Sequence, residues 1–182
     1  FLVRFLGLEG YGCNFATKKL ISLIEKNKFD LIHLHNLHGY YLNIWDFLEY
    51  LAKKETPVIW TLHDEWVLSW LPAHTMGCEH CKTLNGSCTN TYSYPKTYNK
   101  IFANFLLRTK QKNISGIKNL TLVCPSNWLK KQLEDSYLKE KEIRVIYNGV
   151  DTTIFKKSSK SKMELRKKYR LPLDKKICLL YT

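Results

Sequence analysis

The sequence predicts an α/β domain built on a parallel β-sheet with helices on both faces. Short apolar runs rich in β-branched residues alternate along the chain with stretches of helical period. The segments between successive runs are about 20 residues or longer, which suits helical crossovers rather than hairpins. The composition is globular, with 45% hydrophobic and 25% charged residues in 182, and no apolar run approaches the roughly 20 residues that cross a bilayer.

The elements follow in order. Ala16, Leu20, Leu23 and Ile24 repeat at helical spacing between lysines and predict a helix over 14–28. Residues 31–35 alternate apolar side chains with His33 and His35, a strand. Ile44, Phe47, Leu48 and Leu51 predict a helix ending near Lys54. Residues 57–62 are apolar almost throughout, the pattern of a strand buried on both faces. The stretch 63–95 is rich in Gly, Pro, Asn and Cys and reads as irregular. A third helix is expected over 98–113 and a strand over 120–124. Ser126 is placed to cap a helix over 127–139. Residues 143–147 form a strand closed by the turn signal Asn148-Gly149, followed by a short helix over 162–169 and a last strand from Ile177.

Phe1 opens the chain without a start methionine and an apolar run closes it, so the expectation is a fragment. The expected division is residues 1–152, one domain lacking its first strand, and 153–182, a linker and the start of a second domain. Lys and Arg number 29 against 16 Asp and Glu, a net charge of +13. Ten basic residues between Lys156 and Lys176 face only Glu164 and Asp174. This local excess reads first as a solvated connector and second as a contact for anionic lipid. Nucleic acid is not expected, because the Lys-rich stretch lacks interleaved aromatics. Cys124 and Cys178 lie in apolar runs and are expected to be buried, inert thiols. With no export signal, a cytoplasmic location is expected.

Ligands of open parallel sheets bind beyond the carboxyl ends of the strands. Four such ends carry polar residues: His35-Asn36, His63-Asp64, Ser126-Asn127 and Asn148-Gly149. Ser126 and Asn148 read first as caps and turns. The histidine-bearing ends read as functional, since imidazole orients or polarises a hydroxyl near neutral pH.

Four segments together carry a resemblance: residues 30–43 (DLIHLHNLHGYYLN), 57–64 (PVIWTLHD), 123–129 (VCPSNWL) and 145–151 (VIYNGVD) with Phe155. In this order and spacing the chain resembles the amino-terminal half of a family-four glycosyltransferase, most like bacterial enzymes of cell-surface polysaccharide assembly. The resemblance implies a Rossmann-like domain, one half of a GT-B fold. It implies a retaining transferase that takes a sugar from a nucleotide-sugar donor, held mainly by a second domain, to a saccharide or lipid-linked acceptor, with no cofactor for the transfer. His63 matches the family's histidine near the reacting carbon and is the expected catalytic residue. His35, Asn36, His38 and Gly39 match its first histidine-rich loop, expected on the acceptor side. Asp64, Ser126, Asn148 and Gly149 complete the expected substrate-binding set.

His74, Cys78, Cys81 and Cys88 supply ligands with the Cys-x2-Cys spacing of a zinc hook. Structural zinc, free thiols and a disulfide are the three readings of that loop. Two other functions compete with transfer: a non-enzymatic ligand-binding module, and a zinc-dependent hydrolase using His33, His35, His38 and His63. The module is disfavoured by the lack of a Gly-x-Gly-x-x-Gly turn. Ile101, Phe102, Phe105 and Leu106, beside Lys100, Arg108, Lys110 and Lys112, form a stripe that suits peripheral contact with the inner membrane.

Overall fold

The computed structural model describes residues 2–83 and 94–178. By backbone contacts the chain divides into two compact units, Phe1–Tyr147 and Asn148–Thr182. The first holds a four-stranded parallel sheet in the order β1 (Ile32–Leu34), β2 (Val58–Thr61), β3 (Leu120–Cys124), β4 (Glu142–Val145). The helices of this unit are α1 (Leu2–Leu6), α2 (Asn14–Asn27), α3 (Ile44–Ala52), α4 (Ala103–Gly116) and α5 (Asn127–Glu134). The second unit contains α6 (Lys162–Lys168), opened by a capping box in which Ser161 and Glu164 satisfy each other's backbone N–H groups.

Helix starts follow local chemistry. The Asn43 side chain accepts from Asp46 N–H at the head of α3, and Ser126 Oγ accepts from Leu129 N–H at the head of α5. Both positions leave the first turn with one fewer unsatisfied donor. Helix α3 buries Ile44, Trp45, Phe47, Leu48 and Leu51. They join Ile32, Leu34, Val58, Trp60, Leu120 and Leu122 in the main core.

The expected strands are present, shortened by a residue or more at most ends. Four differences are larger. Helix α4 begins at Ala103 rather than Tyr98, after Asn99 turns its side-chain oxygen back to the Ile101 N–H. Helix α5 stops at Glu134, where Ser136 Oγ bonds Leu133 O and takes the Leu138 N–H, diverting the backbone into turns. Strand β2 is not buried on both faces: Val58 and Trp60 are buried, while Ile59 and Thr61 are half-buried on the face that carries exposed His33. No turn forms at Asn148-Gly149; the chain runs on to Asp151, whose Oδ1 accepts from Thr153 N–H. The strand expected from Ile177 falls mostly outside the described residues.

Candidate functional site

The carboxyl ends of β1 and β2 are adjacent because Leu34 pairs with Trp60 in the parallel register. That pairing brings His35 and His63 together one and two residues beyond the strands. His35 Nδ1 lies 3.0 Å from His63 Nε2, with the rings stacked at 5.3 Å. The contact needs one ring nitrogen to donate and the other to accept, so it cannot persist with both rings doubly protonated. His35 is anchored below by Trp60, whose indole N–H donates to His35 O at 2.8 Å. His33 stands beside it, 4.5 Å between ring centres, and its Nε2 meets Thr61 Oγ1 at 2.9 Å. His33, His35 and His63 are all exposed.

A second pair lies deeper. His38 is 7% exposed and its Nε2 meets Asp64 Oδ2 at 2.8 Å. Asp64 Oδ1 accepts from the Trp66 N–H at 2.9 Å. Burial pushes the Asp64 carboxyl up, but the His38 hydrogen bond, the Trp66 N–H and the charges of His38 and His74 together outweigh it and hold it below its ordinary value. Gly39 follows with φ 132°, where a Cβ would lie 3.3 Å from the Tyr94 hydroxyl, so a side chain there meets both strain and crowding. Asn36 is exposed and its carbonyl accepts from the Tyr41 hydroxyl at 2.5 Å. His35, Asn36, His38, His63 and Asp64 line one small cavity of about 10 Å³, enough for a single water.

The other expected residues fall elsewhere. Ser126 is spent as the cap of α5. Asn148 and Gly149 belong to the second unit and are exposed. Among the described residues no three His, Cys, Asp or Glu side chains group so as to hold a metal ion. The four histidines of the hydrolase reading therefore divide into an exposed row and one partner of Asp64. In the cysteine loop Cys78 is a free thiol and Cys81 is disulfide-bonded, which withdraws Cys81 as a thiolate ligand. Cys88 lies outside the described residues. Cys124 is buried as expected, and Cys178 is exposed.

Sequence reasoning missed three charged residues beneath the site. Lys110 occupies the buried stripe of α4 with Ala103, Leu106, Leu107 and Ile114, and a lysine at an apolar position of that repeat is the signal that could have found it. Glu9, in the segment before α2, is 2% exposed. Glu65 ties the loop after β2 to the cysteine loop: it accepts from Thr75 N–H and Oγ1–H at 2.9 Å each and pairs with Lys82 at 3.1 Å. Burial alone would raise the Glu65 carboxyl, but the Thr75 and Lys82 contacts prevail and hold it low.

Asp64 and Glu65 thus share one pH signature. A carboxyl depressed in the folded state contributes stability that is present above its unfolded value and lost as pH falls through its folded value. Acid unfolding of the Glu65→Gln variant is expected to be shallower than that of the wild type below about pH 4, the ordinary carboxylate range. Parallel denaturant titrations at pH 7 and pH 3 measure this; equal losses for both proteins would refute it.

The family model described as Glycosyltransferase Family 4 matches residues 3–154. A protein of Escherichia coli (strain K12), "Putative colanic acid biosynthesis glycosyl transferase WcaC", is 34% identical over 70 residues. That alignment covers 36% of this chain and 17% of the relative's length, so the chain aligns with less than a fifth of it.

Proposed function

The chain belongs to glycosyltransferase family 4, and on that premise we propose that it is the acceptor-side half of an enzyme that builds a cell-surface polysaccharide. The enzyme moves a sugar from a nucleotide-sugar donor to a saccharide or lipid-linked acceptor, with retention at the anomeric carbon. The observation that carries this reading is His63 at the carboxyl end of β2, with its ring held by His35. A side chain placed by the sheet rather than by a mobile loop suits a contact that tightens as charge builds on the sugar. Asp64 and His38 support the same turn from beneath, and in this reading Asn36 and Gly39 serve the acceptor. The transfer, in this reading, uses no metal.

The test is made on the complete enzyme, with a panel of UDP-, GDP- and dTDP-sugars and lipid extract as acceptor. Acceptor-dependent release of nucleoside diphosphate, with a product whose anomeric proton matches the donor, is the expected result. Release from none of the donors would sink the proposal.

A lipid-linked acceptor implies a place on the cytoplasmic side of the membrane, and the surface at the start of α4 supports it. Ile101 is 78% exposed and Phe105 50%, with Phe5 and Tyr98 exposed and in ring contact at 6.3 Å. Arg108 and Lys112 are exposed farther along the same helix. Leu106 and Lys110, expected in this stripe, instead face the core. Among the described residues no helix is long and apolar enough to cross a membrane, so the contact is peripheral. Binding to vesicles with anionic lipid at low salt, weakened by Ile101→Glu, is expected; equal retention of both proteins on the vesicles would remove this surface from the proposal.

A further inference from the structure

Under the paired histidines lies a second polar layer that sugar transfer does not itself require. Lys110 is fully buried. Its Nζ donates to Trp66 O at 2.7 Å and Ser69 O at 2.8 Å, and stands 3.4 Å from the centre of the Trp66 ring. Glu9 is buried beside it and interacts electrostatically with both Lys110 and His38. The Trp66 indole N–H and the Gly39 N–H lie close enough to the Glu9 carboxyl to favour its charged form, and among the described residues His38 Nδ1 is buried without a hydrogen-bond partner. Taking charges out of water is unfavourable by several kcal/mol per ion, and an apolar residue at 110 would complete the α4 stripe without that penalty. Packing therefore does not explain the lysine.

What Lys110 holds is the corner that follows β2. The two carbonyls it binds belong to residues 66 and 69, the ends of the turn closed by the Ser69 N–H bond to Trp66 O. That turn begins at the site itself. Trp66 N–H is the donor to Asp64 Oδ1, and Asp64 Oδ2 is the partner of His38. Trp66 N–H and Trp66 O flank the same Cα, so a shift of Trp66 that breaks its bond to Lys110 also moves the donor to Asp64 Oδ1. His63 is the residue immediately before Asp64, so its backbone moves with the same corner.

We infer that Lys110 is a positioning residue: a buried cation whose two carbonyl bonds clamp the Trp66 corner and so fix Asp64, His38 and His63 in register, with Glu9 buried in the same layer. Its kinetic consequence rests on the transfer reading; its structural consequence does not. Neither residue lines the small cavity between the histidines and Asp64.

The test uses the complete enzyme with Lys110→Met combined with Glu9→Gln, which removes both charges and keeps both volumes, and Lys110→Gln as a milder variant that keeps a polar but shorter side chain. Melting temperature, nucleoside-diphosphate release and the imidazole 15N–1H spectrum are measured on the same preparations. Loss of positioning lowers kcat without weakening donor binding. A folded double variant is expected to lose about 10-fold or more in kcat with donor KM changed less than about 3-fold. Its His38 signals should lose the signature of an N–H held by a carboxylate. Wild-type kcat and wild-type His38 signals in the folded double variant would overturn the inference. Should that variant not fold, Lys110→Gln decides: shifted His38 signals support the clamp, and unchanged signals refute it. If the wild type releases no nucleoside diphosphate from any donor, the transfer reading fails, and the His38 spectrum still judges the clamp.

Discussion

Replacing His63 by alanine in the complete enzyme is expected to lower kcat about 10²–10³-fold while donor KM changes little, a loss on the order of 3–4 kcal/mol in transition-state stabilisation. His63 is exposed beyond a strand end, and its one hydrogen bond recorded in the structure is to another side chain, His35 Nδ1. Among the described residues it bonds no backbone carbonyl, which a role as a strand cap, the competing explanation, would require. An interaction that strengthens as charge develops acts on turnover more than on ground-state binding. A capping role would instead lower the melting temperature and leave kcat of the folded fraction near wild type. Steady-state kinetics and thermal unfolding on one preparation separate the two, and an unchanged kcat would remove His63 from the site.

Lys110→Met alone should destabilise the fold by about 1–3 kcal/mol, because it leaves the buried Trp66 and Ser69 carbonyls without their donor. Adding Glu9→Gln tests whether the two groups act together, since each is the largest opposing charge on the other. The pH dependence follows from the direction of each shift. Burial, only partly opposed by the charges of Glu9 and Asp64, pushes the Lys110 ammonium down to about 7. Between that value and the ordinary lysine value near 10.4, the unfolded chain binds the proton that the folded chain has released. Stability contributed by this group therefore rises with pH across that window. Burial pushes the Glu9 carboxyl up, so its contribution is largest below its unfolded value and falls as pH rises through the folded one. The double variant should lack both slopes. Denaturant unfolding of wild type, both single variants and the double variant at pH 7 and pH 9 gives the cycle, and strictly additive losses would show that the two charges are not coupled.

Much of the fold was legible because its rules are local. The strand at Leu120–Cys124 and the starts of α2, α3 and α5 follow from apolar period and capping residues a few positions apart. The ends of α4 and α5 were not, since Asn99 and Ser136 compete for backbone groups through side-chain bonds that periodicity does not register. Residues 57–62 read as buried on both faces because a nearly continuous apolar run is all the sequence offers. Alternation emerged only once the core had assembled on the face of Val58 and Trp60.

The candidate site divides in the same way. His35, His38, His63 and Asp64 stood out in the sequence because polar residues directly after apolar strands land at the ligand-binding edge of a parallel sheet. Their pairing, His35 with His63 and His38 with Asp64, depended on the parallel register that sets Leu34 beside Trp60. The family and the strand ends that carry the candidate site were thus determined by the sequence alone, through short-range pattern. Tertiary structure alone decided that Lys110, Glu9 and Glu65 lie beneath those ends. In sequence each is an ordinary charged residue, and only burial turns its charge into an unfavourable term that specific, distant partners must offset.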